Sequence, residues 1–161
     1  MLVDKYIKRQ IEIEIEGITL LSLEEAKQVP VEKLAIGKWW WLRSPGNISA
    51  FAEGVDEVGF VDMYGRYVNA YYVVRPALKI SNSESANLEI GDSFDALGYT
   101  WTYVLNGIAL CDSSIGYHRF DKASNVWKTS ELKKWLEDWF SKKMEERDGV
   151  RREEKSSRCR L

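Results

Sequence analysis

Two arginines stand at the ends of apolar runs. Arg43 closes the run 39–42 (WWWL) and precedes Ser44 and Pro45, and Arg75 closes the run 71–74 (YYVV) and precedes Pro76. A guanidinium at the end of a buried strand needs partners, because burying it unpaired is costly. It can tie down loops through carbonyl, carboxylate or aromatic contacts, or it can hold an anionic ligand. Neither arginine has a companion basic cluster, which favours the first role. The remaining reactive groups are sparse. His118 is the one histidine, and the cysteines are Cys111 and Cys159. No Cys or His lies at ligand spacing near His118, so the spacing calls for no metal. Asp92 and Asp95 in GDSFDALG lack the alternating oxygen ligands of an EF-hand. No Gly-x-Ser-x-Gly elbow and no phosphate-cradling glycine motif is present. Cys111 ends an apolar run, where a thiol acts as a small hydrophobe. No catalytic residue and no cofactor is therefore expected.

The chain of 161 residues has 23 basic and 25 acidic side chains and a formal charge of −2. That balance gives no field for a phosphate backbone and disfavours generic nucleic-acid binding. The 7 Trp, 8 Tyr and 5 Phe form an aromatic surplus that suits cores and interfaces. Two cysteines, one in a charged tail, read as reduced thiols in a reducing compartment. The N-terminal stretch MLVDKYIKRQIEIEIEG is neither a signal peptide nor a membrane span, so an intracellular, cytoplasmic protein is expected.

The elements that must position these groups follow from periodicity. Ile11, Ile13 and Ile15 alternate with Glu12, Glu14 and Glu16, which predicts a half-buried strand ended by Gly17. Residues 18–21 read as a second short strand. Ser22 and Glu25 fit a capping box that opens a helix ending before Pro30. Residues 39–42 predict a buried strand. Val58 to Val68 suggest a hairpin turning at Tyr64 and Gly65. Residues 72–80 predict a strand in which Pro76 marks an edge, bulge or bend. The polar stretch 81–87 joins two halves, 1–80 and 88–144, of one α+β domain. Runs at 101–105 and 108–111 flank an Asn106–Gly107 hairpin turn. A helix from Thr129 to about Glu146, capped by Thr129 or Ser130, carries Leu132, Trp135, Leu136, Trp139, Phe140 and Met144 on one face. Residues 145–161 predict a disordered tail or frayed helix.

WWWLRSPG, FVDMYGRYV and VVRPALKI, with ITLLSLEEA, GDSFDALGYTWTYVL, ALCDSSIGYHRF and VWKTSELKKWLEDWF, form a series over most of residues 15–140. The series resembles an uncharacterised domain family of bacteria and phages with a WWLRS…VRPAL signature. In that family the half holding the W-x-S-x-LR-x-WL motif precedes the WWLRS half. Here the order is reversed, as in a circular permutation, which preserves a fold when termini lie close. The resemblance implies a C-type-lectin-like fold, also used by formylglycine-generating enzymes: a small twisted antiparallel sheet with flanking helices and long loops. It marks Trp41, Arg43, Ser44, Arg75, Pro76, Trp127 and Trp135 as structural motif residues. An oxidase of the formylglycine type needs placed cysteines or a copper site, which Cys111 and Cys159 do not supply.

The expectation is a non-enzymatic protein-binding module of phage or prophage origin, in one form an inhibitor of a bacterial host's defence effector. Tyr64, Tyr67, Asn69, Tyr71 and Tyr72 are the candidate contact residues, since Tyr and Asn join rigid area to hydrogen bonding. Strand alternation places about half of these tyrosines in the core. A virion or surface adhesin component binding a glycan or receptor, and an enzyme with an unrecognised site, are the alternatives.

Overall fold

The computed structural model describes residues 13–81 and 88–158. Among the described residues, ten strands form two sheets. In chain order they are β1 (Ile15–Thr19), β2 (Trp40–Pro45), β3 (Phe51–Val55), β4 (Val61–Tyr67), β5 (Tyr71–Val74), β6 (Ala77–Ile80), β7 (Ser93–Ala96), β8 (Tyr99–Leu105), β9 (Ile108–Cys111) and β10 (Gly116–Arg119). Sheet I has the order β1-β6-β9-β8-β7, and sheet II the order β10-β5-β2-β3-β4. Helices α1 (Leu23–Lys27) and α2 (Val31–Leu34) precede β2, and α3 (Glu131–Arg158) ends the described chain.

The α+β class agrees with the sequence. The single antiparallel sheet does not: there are two sheets, and β2 pairs with β5 in parallel. The two sequence halves also interleave. β6 pairs with β9 in sheet I, and β5 pairs with β10 in sheet II. A period-two pattern reports which residues share a face, and is silent on which strand lies alongside.

The run 39–42 is buried on both faces. Trp40 and Leu42 join Val55, Val73, Val104 and Leu110 in a core shared by both sheets, with Leu34 and Ala26 from the short helices. Trp39 and Trp41 point the other way and join Val74, Phe120, Leu132 and Leu136. Burial on both sides explains a continuous apolar run where a half-exposed strand would alternate. A third cluster holds Leu78, Phe94, Trp101, Tyr103, Ala109 and Cys111, with Trp139, Phe140 and Met144 of α3 packed on it. The apolar stripe of α3 thus crosses from sheet II to sheet I along its length.

Several boundaries move. Gly17 lies inside β1, at a register shift, so one strand covers what alternation divides into two. Ile13 is buried while Glu14 and Glu16 are exposed; Ile11 and Glu12 lie outside the described residues. The Ser22–Glu25 capping box is present in both directions. Tyr64 and Gly65 do not form a hairpin turn. They sit in a bulge of β4, where Met63, Tyr64 and Gly65 oppose Glu53 alone. Gly65 takes φ +84° there, and the Asp62 carboxylate accepts its N–H. The turn instead lies at 56–60, where Asp56 Oδ1 accepts the N–H groups of Val58 and Phe60. The expected strand 72–80 bends at Arg75–Pro76 and serves both sheets, as β5 and then β6.

Ser130 caps α3, its Oγ accepting from Lys133 N. The helix does not end near Glu146. It runs to Arg158, through most of the segment expected to be disordered or frayed. Glu, Lys and Arg are good helix formers, no proline interrupts them, and Lys143–Glu146 adds an ion pair at 3.5 Å. At 28 residues, α3 is roughly 42 Å long. Cys159 lies outside the described residues. Among the described residues no helix is long and apolar enough to cross a membrane.

The Trp39 indole packs against Gly54: a Cβ there would fall 2.2 Å from its ring. Gly54→Ala is expected to cost about 1–3 kcal/mol by displacing the indole. Gly17→Ala, with nothing within 4 Å of the new carbon, is the control. Urea denaturation of both variants measures the difference, and equal costs would refute the close contact.

Candidate functional site

The joint between the sheets is built around Arg75, which is 4% exposed. Its Nε donates to Cys111 O at 2.6 Å, one terminal nitrogen to Leu34 O at 3.1 Å, and the other to Lys33 O at 3.0 Å. The guanidinium lies 5.0 Å from the centre of the Trp40 ring, within cation–π range. Leu34 O and Lys33 O belong to the end of α2, where carbonyls lack intrahelical partners. Trp40 Nε1 donates to Leu34 O as well, at 3.0 Å. Burial depresses the Arg75 pKa to about 10, with Cys111 and Asp112 opposing the fall. At neutral pH it remains a cation, and its hydrogen-bond partners are neutral carbonyls.

Arg43 and Ser44 dock α1 in a similar way. Arg43 donates to Leu20 O and to Glu25 Oε1, each at 2.6 Å, and Ser44 Oγ accepts from Leu23 N at 2.9 Å. Glu25 Oε1 also accepts from Ser22 N, so the capping box and the Arg43 ion pair share one oxygen. Burial alone would raise the Glu25 pKa, but Ser22 N–H and Arg43 hold it below the ordinary carboxylate value. The three tryptophans of β2 and its approach each place their N–H. Trp39 donates to Asp62, Trp40 to Leu34 O and Trp41 to His118 O.

The candidate contact tyrosines do not form one group. Tyr64 and Tyr67 lie on β4, the outer strand of sheet II, at 72% and 60% exposure. Tyr71 is exposed on β5, three strand positions away, with its ring 5.8 Å from that of His118. Asn69 is exposed between them. Tyr72 is half-buried against Trp39 and Trp41, with the Arg66 guanidinium 5.0 Å from its ring centre, so it is mainly a packing residue. Trp127 sits half-buried in a 3-10 turn against Phe120, and Trp135 is half-buried and stacked on His118 at 5.2 Å.

Cys111 is fully buried in β9, and burial raises its thiol pKa. His118 lies on β10 of the other sheet, its Nδ1 2.6 Å from Arg119 O. Among the described residues no group of three or more His, Cys, Asp or Glu side chains is placed to hold a metal ion.

An open cleft of about 250 Å³ borders Arg75. Ser93, Thr102 and Asp112 line one side, Lys33 and Glu32 contribute from α2, and Ala35, Ile36, Val104 and Leu110 are apolar. Thr102 Oγ1 donates to Asp112 Oδ1 at 2.6 Å and lies 3.2 Å from Ser93 Oγ. None of Ser93, Thr102 or Asp112 stands out from motifs. The available signal is Thr102 itself, a polar residue inside the apolar run YTWTYVL.

Glu53 is a buried carboxyl, 8% exposed, with Oε2 unpartnered. Burial raises its pKa; Asp62 and Glu24 add to the rise, and Lys27 offsets part of it. A raised value means that the folded chain holds this proton more tightly than the unfolded chain. The associated stability is present below the unfolded carboxyl value and is lost as pH rises through the folded one. Glu53→Gln is therefore expected to raise the melting temperature by a few degrees at about pH 7 and to change it little at about pH 4. No gain at the higher pH would show that the carboxylate is compensated. Arg75→Leu takes the side-chain donor from Cys111 O and Lys33 O, while Leu34 O keeps Trp40 Nε1, and is expected to cost about 3 kcal/mol in urea denaturation. Arg75→Lys should recover only part of that loss, because one ammonium cannot span the three acceptors.

No family model matches this chain, and neither a curated protein nor a solved structure matches it, so its function is read from its own geometry.

Proposed function

We propose that this chain is a non-enzymatic protein-binding module that docks its partner on β4 and the turn leading into it. The observation that carries this is the density of exposed apolar side chains there. Val58, Phe60, Met63, Tyr64 and Tyr67 are each 56–72% exposed within ten residues. Apolar groups gathered on a protein surface mark interaction sites, whereas single exposed ones do not. β4 also ends sheet II, so its outer backbone groups are open to pairing by an added strand. The Gly65 bulge keeps part of that edge irregular, which limits indiscriminate sheet extension.

The partner in this reading is a bacterial host protein, the module is of phage or prophage origin, and it acts in the cytoplasm by occupying a defence effector. The WWWLRSPG and VVRPALKI motifs support reading the fold as C-type-lectin-like. The docking roles of Arg43, Ser44, Arg75 and the tryptophans give those motifs a structural purpose.

The triple variant Phe60→Ser, Tyr64→Ser, Tyr67→Ser removes the apolar edge without touching a buried residue. Its melting temperature should stay within about 3 °C of the parent, as for surface changes. Affinity capture from bacterial lysate, followed by reconstitution with each captured protein purified, should give a complex that the variant loses. Equal capture by parent and variant would refute the assignment of this surface.

A further inference from the structure

We infer that the cleft beside Arg75 binds a small zwitterion, a free α-amino acid or close analogue, with its carboxylate toward Arg75 and its ammonium toward Ser93 and Asp112. The two sides of the cleft present opposite hydrogen-bonding character. On one side, the guanidinium has five N–H donors, and three of them reach carbonyls of Cys111, Leu34 and Lys33. One N–H on each terminal nitrogen remains. Arg75 makes no ion pair with a carboxylate among the described residues, so a buried cation borders the cleft without a counter-charge in contact.

On the other side, the proton order is determined by valence. A hydroxyl carries one proton. Thr102 gives its proton to Asp112 Oδ1, so the short contact between Ser93 and Thr102 requires Ser93 to be the donor. The chain Ser93 to Thr102 to Asp112 therefore points every proton toward the carboxylate. What remains for a ligand is acceptors: the lone pairs of Ser93 Oγ and the oxygens of Asp112. Arg75 and Asp112 interact electrostatically yet form no ion pair, which leaves their opposite charges available to a molecule that carries both.

Simpler ligands fit less well. An anion such as phosphate would meet Arg75 and Lys33 but also the carboxylates of Asp112 and Glu32. A simple amine would suit Asp112 and face Arg75. The volume of about 250 Å³ is below the roughly 300–1,000 Å³ of pockets for drug-sized ligands and suits an occupant about the size of one amino acid. Ile36, Val104 and Leu110 offer its side chain an apolar wall.

Calorimetric titration of the whole chain with a panel of free L-amino acids tests this, with N-acetylated and C-amidated forms of any binder as the second arm. At least one free amino acid is expected to bind one-to-one with Kd at or below about 1 mM, and each capped form at least about tenfold more weakly. Asp112→Asn and Ser93→Ala, both confirmed folded by their melting temperatures, should weaken binding of the free form by a similar factor. The β4 edge variant should bind it as the parent does. Absence of binding by every free amino acid at about 10 mM, equal binding of capped and free forms, or unchanged binding by both cleft variants would overturn the inference.

Discussion

The Arg75 side chain leaves the backbone where a strand of sheet II bends into a strand of sheet I, and its guanidinium reaches the end of α2 on one side and the end of β9 on the other. Without the side chain, Cys111 O and Lys33 O would lose its donors, and Leu34 O would keep only Trp40 Nε1. Pro76 follows at the bend, supplies no N–H, and its carbonyl accepts from Cys111 N at 2.9 Å. One cation and one proline thus join the two sheets at the bend, beside the core and the α3 stripe that also span both. The core shared by the sheets, around Trp40, Val73, Val104 and Leu110, lies directly beside that joint.

The tryptophans act within the same constraint. Trp39, Trp40 and Trp41 bury large apolar area on two opposite faces, and each N–H finds an acceptor on a different element. A buried indole without such a partner would lose part of what its area contributes. Trp39 meets β4, Trp40 meets α2, and Trp41 meets β10, so a single strand approach organises both ends of sheet II. Gly54 permits the closest of these contacts by having no side chain beneath the Trp39 ring.

The two candidate surfaces differ in physical kind. The β4 edge is apolar, exposed and bordered by open backbone groups, which suits a macromolecule that brings its own strand or apolar face. The cleft beside Arg75 is small, charged in both senses and set into the joint between the sheets. A ligand there would add a counter-charge to the cation on which the joint depends, so occupancy of the cleft and stability of the fold are coupled by construction.

Local rules were legible in the sequence. The Ser22–Glu25 capping box, the Asn106–Gly107 turn and the apolar stripe of α3 each depend on residues a few positions apart, and the sequence determined them; the cap of α3 it narrowed to Thr129 or Ser130, of which the structure uses Ser130. It also pointed to Arg43 and Arg75 as needing partners if buried, because an unpaired guanidinium away from water is costly. Tertiary structure alone decided the identity of those partners, the division into two sheets, the parallel pairing of β2 with β5, and the meeting of Ser93, Thr102 and Asp112 beside Arg75. Strand pairing depends on contacts between residues far apart in the chain, whereas periodicity reports only which face each residue shares. The Tyr64–Gly65 bulge shows the same limit at short range. Glycine permits either a turn or a bulge, and the pairing of β4 with β3 selected the bulge.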